Sequence, residues 1–106
     1  MKVHRLDAMT RGWFVGNFVP TSLRTGACEV SCRTYKKGEA EARHVHKVAV
    51  EVTLIASGRV RMEGRELGAG DIVVIDPGEP TDFQALEDTL TVVVKVPSVI
   101  GDKYPA

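Results

Sequence analysis

HVHKVAVE, residues 44–51, places two histidines one residue apart and a glutamate five positions after the second. In an extended chain, side chains two apart project to the same side, so His44 and His46 can bring their imidazoles to one point. Glu51 has the opposite parity in a continuous strand. It joins the histidines only if the intervening KVAV bends or carries the chain into a neighbouring strand. Two neutral imidazoles and a carboxylate converging from one side make a facial triad suited to divalent Fe, Mn, Zn or Ni, with positions left open for water or a ligand. Histidines on strands are also commonly surface residues or groups satisfied by their neighbours, and Glu51 can equally form an ion pair. Spacing alone leaves both readings standing.

The surroundings of this stretch point to an almost all-β fold. No window of eleven or more residues shows apolar spacing at three and four, while short β-branched runs recur between turn residues. CEVSCRTY ends at KKGE, VEVTLIA at SG, RVRM at EGRE, DIVVI at DPGEP, and TLTVVVKV at PS. Strands and Gly/Pro turns spaced this evenly indicate a sandwich or a small barrel. If Ser57 and Gly58 form a two-residue hairpin turn, Ile55 pairs with Val60 and Thr53 with Met62. One face then carries Glu51, Thr53, Ile55, Val60 and Met62, apolar except at its Glu51 end, and is expected to face the barrel interior.

At 106 residues the chain has the size of one domain with an ordinary core. Fourteen basic and fourteen acidic side chains cancel and are scattered, so neither nucleic acid nor an anionic membrane is favoured as a partner. The start MKVHRLDAMTRGW lacks the apolar core of a signal peptide, and no apolar run approaches the ~18 residues of a membrane span. A cytoplasmic location is expected. Cys28 and Cys32, four apart on one strand, would lie about 13 Å apart, beyond disulfide reach, and are expected as small buried residues on one face. The segment 1–26, with RGWFVGNFVPTSLRTG, lacks clean alternation and is expected as an arm outside a barrel of residues 27–97. Residues 98–106 form a tail.

The spacing of Gly38, five residues, His44, one residue, His46, four residues, Glu51, six residues and Gly58 resembles the first motif of the cupin superfamily. A second cupin motif lies downstream: a glycine, five residues, a proline, one residue, a glycine, two residues and a histidine. Here Gly70 and Gly78 match it, but Asp76 stands at the proline position and Thr81 at the histidine position. The resemblance covers roughly residues 26–97 and implies a single-domain jelly-roll barrel. It also implies a divalent metal ion held by His44, His46 and Glu51, with Thr81 at the fourth position. A threonine hydroxyl is a weak neutral ligand beside an imidazole, so this departure implies looser metal binding or an extra water. Small cupins of this kind are often homodimers, which sets that expectation.

Thr53, Met62 and Phe83 are expected to line the pocket, Phe83 because it shares a face with Thr81 in an extended chain. Lys47, Arg33, Arg43 and Lys95 are either solvated charges or cations near the mouth, and their position decides. Trp13, Phe14 and Phe18 are read as core or dimer packing. His4 is read as a surface residue, and Tyr104 as a residue that can dock the tail. No nucleophile motif or phosphate-cradling loop is present. Two functions follow as expectations. One is a metal-dependent protein acting on a sugar or a hydroxy or keto acid, with isomerase or oxygenase chemistry. The other is a non-catalytic carbohydrate-binding or regulatory module, with or without metal.

Overall fold

A computed structural model describes residues 1–106. After a 3-10 turn at Leu6–Ala8, the chain forms β1 (Trp13–Gly16), β2 (Leu23–Arg24), β3 (Glu29–Tyr35) and β4 (Ala40–Val45). There follow β5 (Val50–Ser57), β6 (Arg59–Met62), β7 (Arg65–Gly68) and β8 (Ile72–Ile75). The last three strands are β9 (Thr81–Ala85), β10 (Thr89–Val96) and β11 (Tyr104–Pro105). Six strands form one sheet in the order β2-β1-β3-β10-β5-β8, and five form the other in the order β11-β4-β9-β6-β7. The all-β expectation holds. No helix is long and apolar enough to cross a membrane.

Between the sheets lies a core of Tyr35, Ile55, Val60, Met62, Ile75, Phe83 and Ala85. Ile55 and Val60 are fully enclosed, so truncating Ile55 to alanine removes about 2–5 kcal/mol of packing. The expected inward face of β5 and β6 is correct, because Glu51, Thr53, Ile55, Val60 and Met62 are all buried. The expected hairpin between these strands is not. β5 pairs with β10 on one edge and β8 on the other, leaving no edge for β6, which pairs instead with β7 and β9 in the opposite sheet. Gly58 makes the crossing at φ +94°, and a Cβ there would meet Asp88 O at 2.5 Å and Thr89 Cα at 2.7 Å. Glycine is required on both counts.

Two other expectations are corrected. Cys28 and Cys32 are free but only half-buried. Cys32 alternates with the buried Ser31 on β3 and so faces outward. The segment 1–26 does not lie wholly outside, since β1 pairs with β3 and carries β2 at the sheet edge. The tail also joins a sheet, through pairing of β11 with β4.

The six-stranded sheet has an unusual distribution of polarity. Its inner rows carry Glu29, Lys95 and Glu51 side by side, then Ser31, Val93 and Thr53, then Arg33 and Thr91. Its outer rows run Val30–Val94–Val52–Val74 and Cys32–Val92–Leu54–Ile72 across four strands. A bulge between Trp13 and Val15 turns Trp13 inward beside Ser31 and sets Val15 beside Val30. The charged and hydroxylated face is therefore the one turned to the interior.

Candidate functional site

The polar interior opens as a cavity of about 350 Å³. Its walls include Glu51 and Thr53 from the six-stranded sheet and His44, Met62, Thr81 and Phe83 from the five-stranded sheet. Met62 and Phe83 also belong to the core cluster, so they form the floor where cavity meets core. Trp13 and Phe18, read from sequence as packing residues, line the mouth.

Each candidate metal ligand is positioned by a local break in regular structure. β4 carries a bulge between Glu41 and His44, which lets residues three apart both reach the cavity. β4 ends at Val45, and the chain bends at residues 47 and 48 before β5 begins at Val50. That bend is the condition the parity of Glu51 imposed. His44, His46 and Glu51 are all buried, at 7%, 2% and 9% exposure. The two imidazoles lie edge to face with centroids 5.1 Å apart, and His46 Nε2 is 3.5 Å from Glu51 Oε1.

Both rings have their Nδ1 atoms committed to main-chain carbonyls. His44 Nδ1 lies 2.8 Å from the carbonyl of Ala42, and His46 Nδ1 lies against the carbonyl of Asp102. Donation from Nδ1 selects the tautomer in which Nε2 carries the lone pair, as metal-binding histidines require. The contact of His46 Nε2 with Glu51 falls short of hydrogen-bond alignment, and Nε2 is the one buried side-chain polar atom without a hydrogen-bond partner. A buried group left this way costs about 1–3 kcal/mol. The nearby Glu51 acceptor raises the pKa of His46, against burial, which lowers it. Burial would raise the pKa of Glu51, but His46 and the charge of Lys95 together lower it. As arranged, no three His, Cys, Asp or Glu side chains form a group able to hold a metal ion.

Thr81 lies directly across from His44 in the β4–β9 register. It is buried, and its hydroxyl donates to the carbonyl of Asp82 at 3.0 Å. The four candidate cations separate cleanly. Arg33 and Lys95 line the cavity. Arg43 pairs with Glu63 at 3.0 Å, outside the cavity lining, and Lys47 sits over the ring of Tyr104, 3.9 Å from its centroid. Inside, Arg33 binds Glu41 at 2.8 Å and lies 4.5 Å over the Tyr35 ring. Tyr35 donates to Glu41 at 3.3 Å, and burial together with Glu41 pushes its pKa up, keeping it a neutral phenol. Lys95 lies 3.6 Å from Glu29 and 4.9 Å from the Trp13 ring centre.

Sequence reasoning missed Asp102. This residue of the tail is buried, and its carboxylate accepts from the N–H groups of Lys47 at 2.8 Å, Val48 at 3.1 Å and Ala49 at 2.9 Å. It therefore fixes the bend between His46 and Glu51. Burial alone would raise its pKa, but these main-chain donors lower it. The only local signal is an aspartate between Gly101 and Lys103, and nothing in that tripeptide points to a loop more than fifty residues away.

Two facing β-sheets enclosing such a mouth define a double-stranded β-helix of the cupin class. The chain belongs to the AraC-binding-like domain family, whose sequence pattern matches residues 2–105. Among solved structures, it is similar to an uncharacterised conserved protein with a double-stranded β-helix domain from Klebsiella pneumoniae, at 26% identity and TM-score 0.67, over 73% of this chain and 69% of that one. It is also similar to KdgF from a Halomonas species, at 25% identity and TM-score 0.64, over 71% of this chain and 74% of that one. A cupin protein from Bacteroides fragilis shares the fold at 24% identity and TM-score 0.59, covering 72% and 70% of the two chains. No curated protein sequence matches.

Proposed function

We propose that the chain binds a divalent metal ion through His44, His46 and Glu51 and uses it to hold an oxygen-rich small molecule, a sugar or a hydroxy or keto acid, in the cavity. The observation that carries this reading is His46. Its ring is locked by Asp102, and its Nε2 is buried without a hydrogen-bond partner beside the Glu51 carboxylate. Native proteins rarely leave a buried polar atom unpaired without a use for it. The donor set of two imidazoles and one carboxylate fits Fe, Mn, Ni or Zn. When bound, such an ion acts as a Lewis acid toward the ligand's oxygens.

The chain's own groups supply the rest. Arg33 and Lys95, each neutralised by a carboxylate, offer donors while Glu41 and Glu29 offer acceptors, an arrangement suited to hydroxyls and carboxylates. The Tyr35 phenol is a further neutral donor, and Trp13 and Phe18 add apolar surface to the cavity lining. Titratable groups beyond the metal ligands are what a catalytic cavity requires, and isomerase or oxygenase chemistry fits such a site. A second reading, a non-catalytic carbohydrate-binding or regulatory module, is favoured by Thr81, whose neutral hydroxyl is already engaged by Asp82.

The test is elemental analysis of protein purified without a histidine tag, beside the His44→Ala/His46→Ala variant. About one metal per chain in the wild type, lost in a variant that stays folded, supports the site. Metal retained in the variant overturns the ligand assignment. A wild type that takes up none of Fe(II), Mn(II), Ni(II) or Zn(II) overturns the metal and leaves the binding module.

A further inference from the structure

We infer that Lys95 determines the specificity of the cavity, and that the ligand is an acid, a hydroxy or keto acid whose carboxylate Lys95 takes, and not a neutral sugar. This rests on the reading of the cavity as a metal-assisted small-molecule site and narrows it. Lys95 lines the cavity from β10, in one inward row between Glu29 of β3 and Glu51 of β5. Facing side chains on neighbouring strands start about 5 Å apart, so its ammonium belongs to the same end of the cavity as the metal ligands. Its charge acts on both Glu51 and His46, lowering the pKa of each.

The ammonium has donors to spare. The Lys95 side chain is only 15% exposed, and its Nζ stands 3.6 Å from Glu29 Oε1, beyond hydrogen-bond range. The chain gives it no closer acceptor. Glu29 is held through its other oxygen by Ser98 Oγ, which donates to it at 2.8 Å. The Trp13 ring, with its centre 4.9 Å from Nζ, holds the ammonium from another side. Arg33 differs, since it lies further along β3 from this row and already donates to Glu41 at 2.8 Å. A largely buried ammonium with three donors and no hydrogen bond calls for an acceptor brought by a ligand.

Charge decides which ligand. With Glu51 committed to a divalent cation, Glu29 alone opposes Lys95, and two cations share one end of the cavity. A neutral sugar leaves that excess positive charge in place. A carboxylate removes it and accepts charge-assisted hydrogen bonds, about twice as strong as neutral ones. A molecule with a hydroxyl or carbonyl oxygen beside its carboxylate serves both groups, giving oxygen to the ion and charge to Lys95.

Isothermal titration with matched pairs tests this: lactate against propane-1,2-diol, and gluconate against glucitol. The proteins are the wild type, Lys95→Met and Lys95→Arg, each loaded with Ni(II) and freed of unbound ion. In the wild type the acids should bind roughly tenfold or more tighter than their neutral partners. Lys95→Met should lose that preference, and Lys95→Arg, which keeps the charge, should retain most of it. Should Lys95→Met fail to fold, Lys95→Gln takes its place. Elemental analysis and circular dichroism of the same samples separate the two readings, because Lys95→Met should keep the wild-type metal content and spectrum. A wild type that holds no Ni(II) counts against the metal alone, and the same titrations on the ion-free protein then decide the role of Lys95. Acids that bind no better than their neutral partners, or a preference that survives in folded Lys95→Met, would overturn the assignment.

Discussion

His46 Nδ1 donates to the main-chain carbonyl of Asp102, 56 residues further along the chain, while the Asp102 carboxylate holds the backbone of Lys47, Val48 and Ala49. One residue near the end of the sequence thus sets both the orientation of the imidazole and the bend that brings Glu51 to it. The histidine–glutamate motif supplies donors, and the tail arranges them.

Asp102→Asn keeps the shape and removes the charge from three main-chain hydrogen bonds. At neutral pH the variant should be less stable by about 1–3 kcal/mol. The folded-state pKa of Asp102 is depressed, so its stabilisation is fully present above the unfolded carboxyl value of about 3.9 and is lost as pH falls through the lower folded value. Urea unfolding from pH 7 to pH 2 should show the wild-type advantage disappearing below about pH 4. An advantage constant across that range contradicts the role given to the carboxylate.

Gly58→Ala places a Cβ against the backbone of Asp88 and Thr89 at a positive φ. The crossing between sheets has no room to shift without moving β10, so a loss of about 2–4 kcal/mol is expected. Thermal unfolding measures it, and a variant as stable as the wild type would show that the crossing can relax.

Thr81→His should tighten metal binding at least tenfold, about 1.4 kcal/mol, because position 81 faces the cavity directly across from His44. Isothermal titration with Zn(II) or Ni(II) reads the change. Unaltered affinity would mean that the side chain at 81 does not reach the ion.

Arg33→Ala leaves Glu41 without its 2.8 Å partner and uncovers the Tyr35 ring. The pair is three-quarters buried, and a stability loss of about 1–2 kcal/mol is expected, together with weakened binding of acidic sugars or hydroxy acids. Arg33→Lys restores the charge but not the stacking and should recover only part of the loss. Equal stability of Arg33→Ala and wild type contradicts the pairing.

Local patterns carried most of the fold. Alternation marked β5 and β6 and put Ile55, Val60 and Met62 inside, because side-chain parity survives whether the chain turns back or crosses over at Gly58. The partners of those strands were not legible. A two-residue hairpin and a sheet crossing look alike in Ser57–Gly58, and only the occupation of both β5 edges by β10 and β8 decides between them. The candidate ligands were visible as a spacing, and parity alone demanded a bend after His46. Asp102 was not assignable, since contacts across about fifty residues leave no local trace, and the roles of Arg33, Glu41 and Lys95 depend on position relative to a cavity, which leaves none either. β1 escaped notice because its bulge breaks the alternation on which strand reading depends.

The most direct measurement is anomalous diffraction at the absorption edge of a metal soaked into, or co-purified with, crystals of the wild-type chain. One anomalous peak is predicted, within bonding distance of Nε2 of His44, Nε2 of His46 and a carboxylate oxygen of Glu51. A peak elsewhere, or His46 Nε2 still facing Glu51 with no peak at saturating metal, would contradict the account.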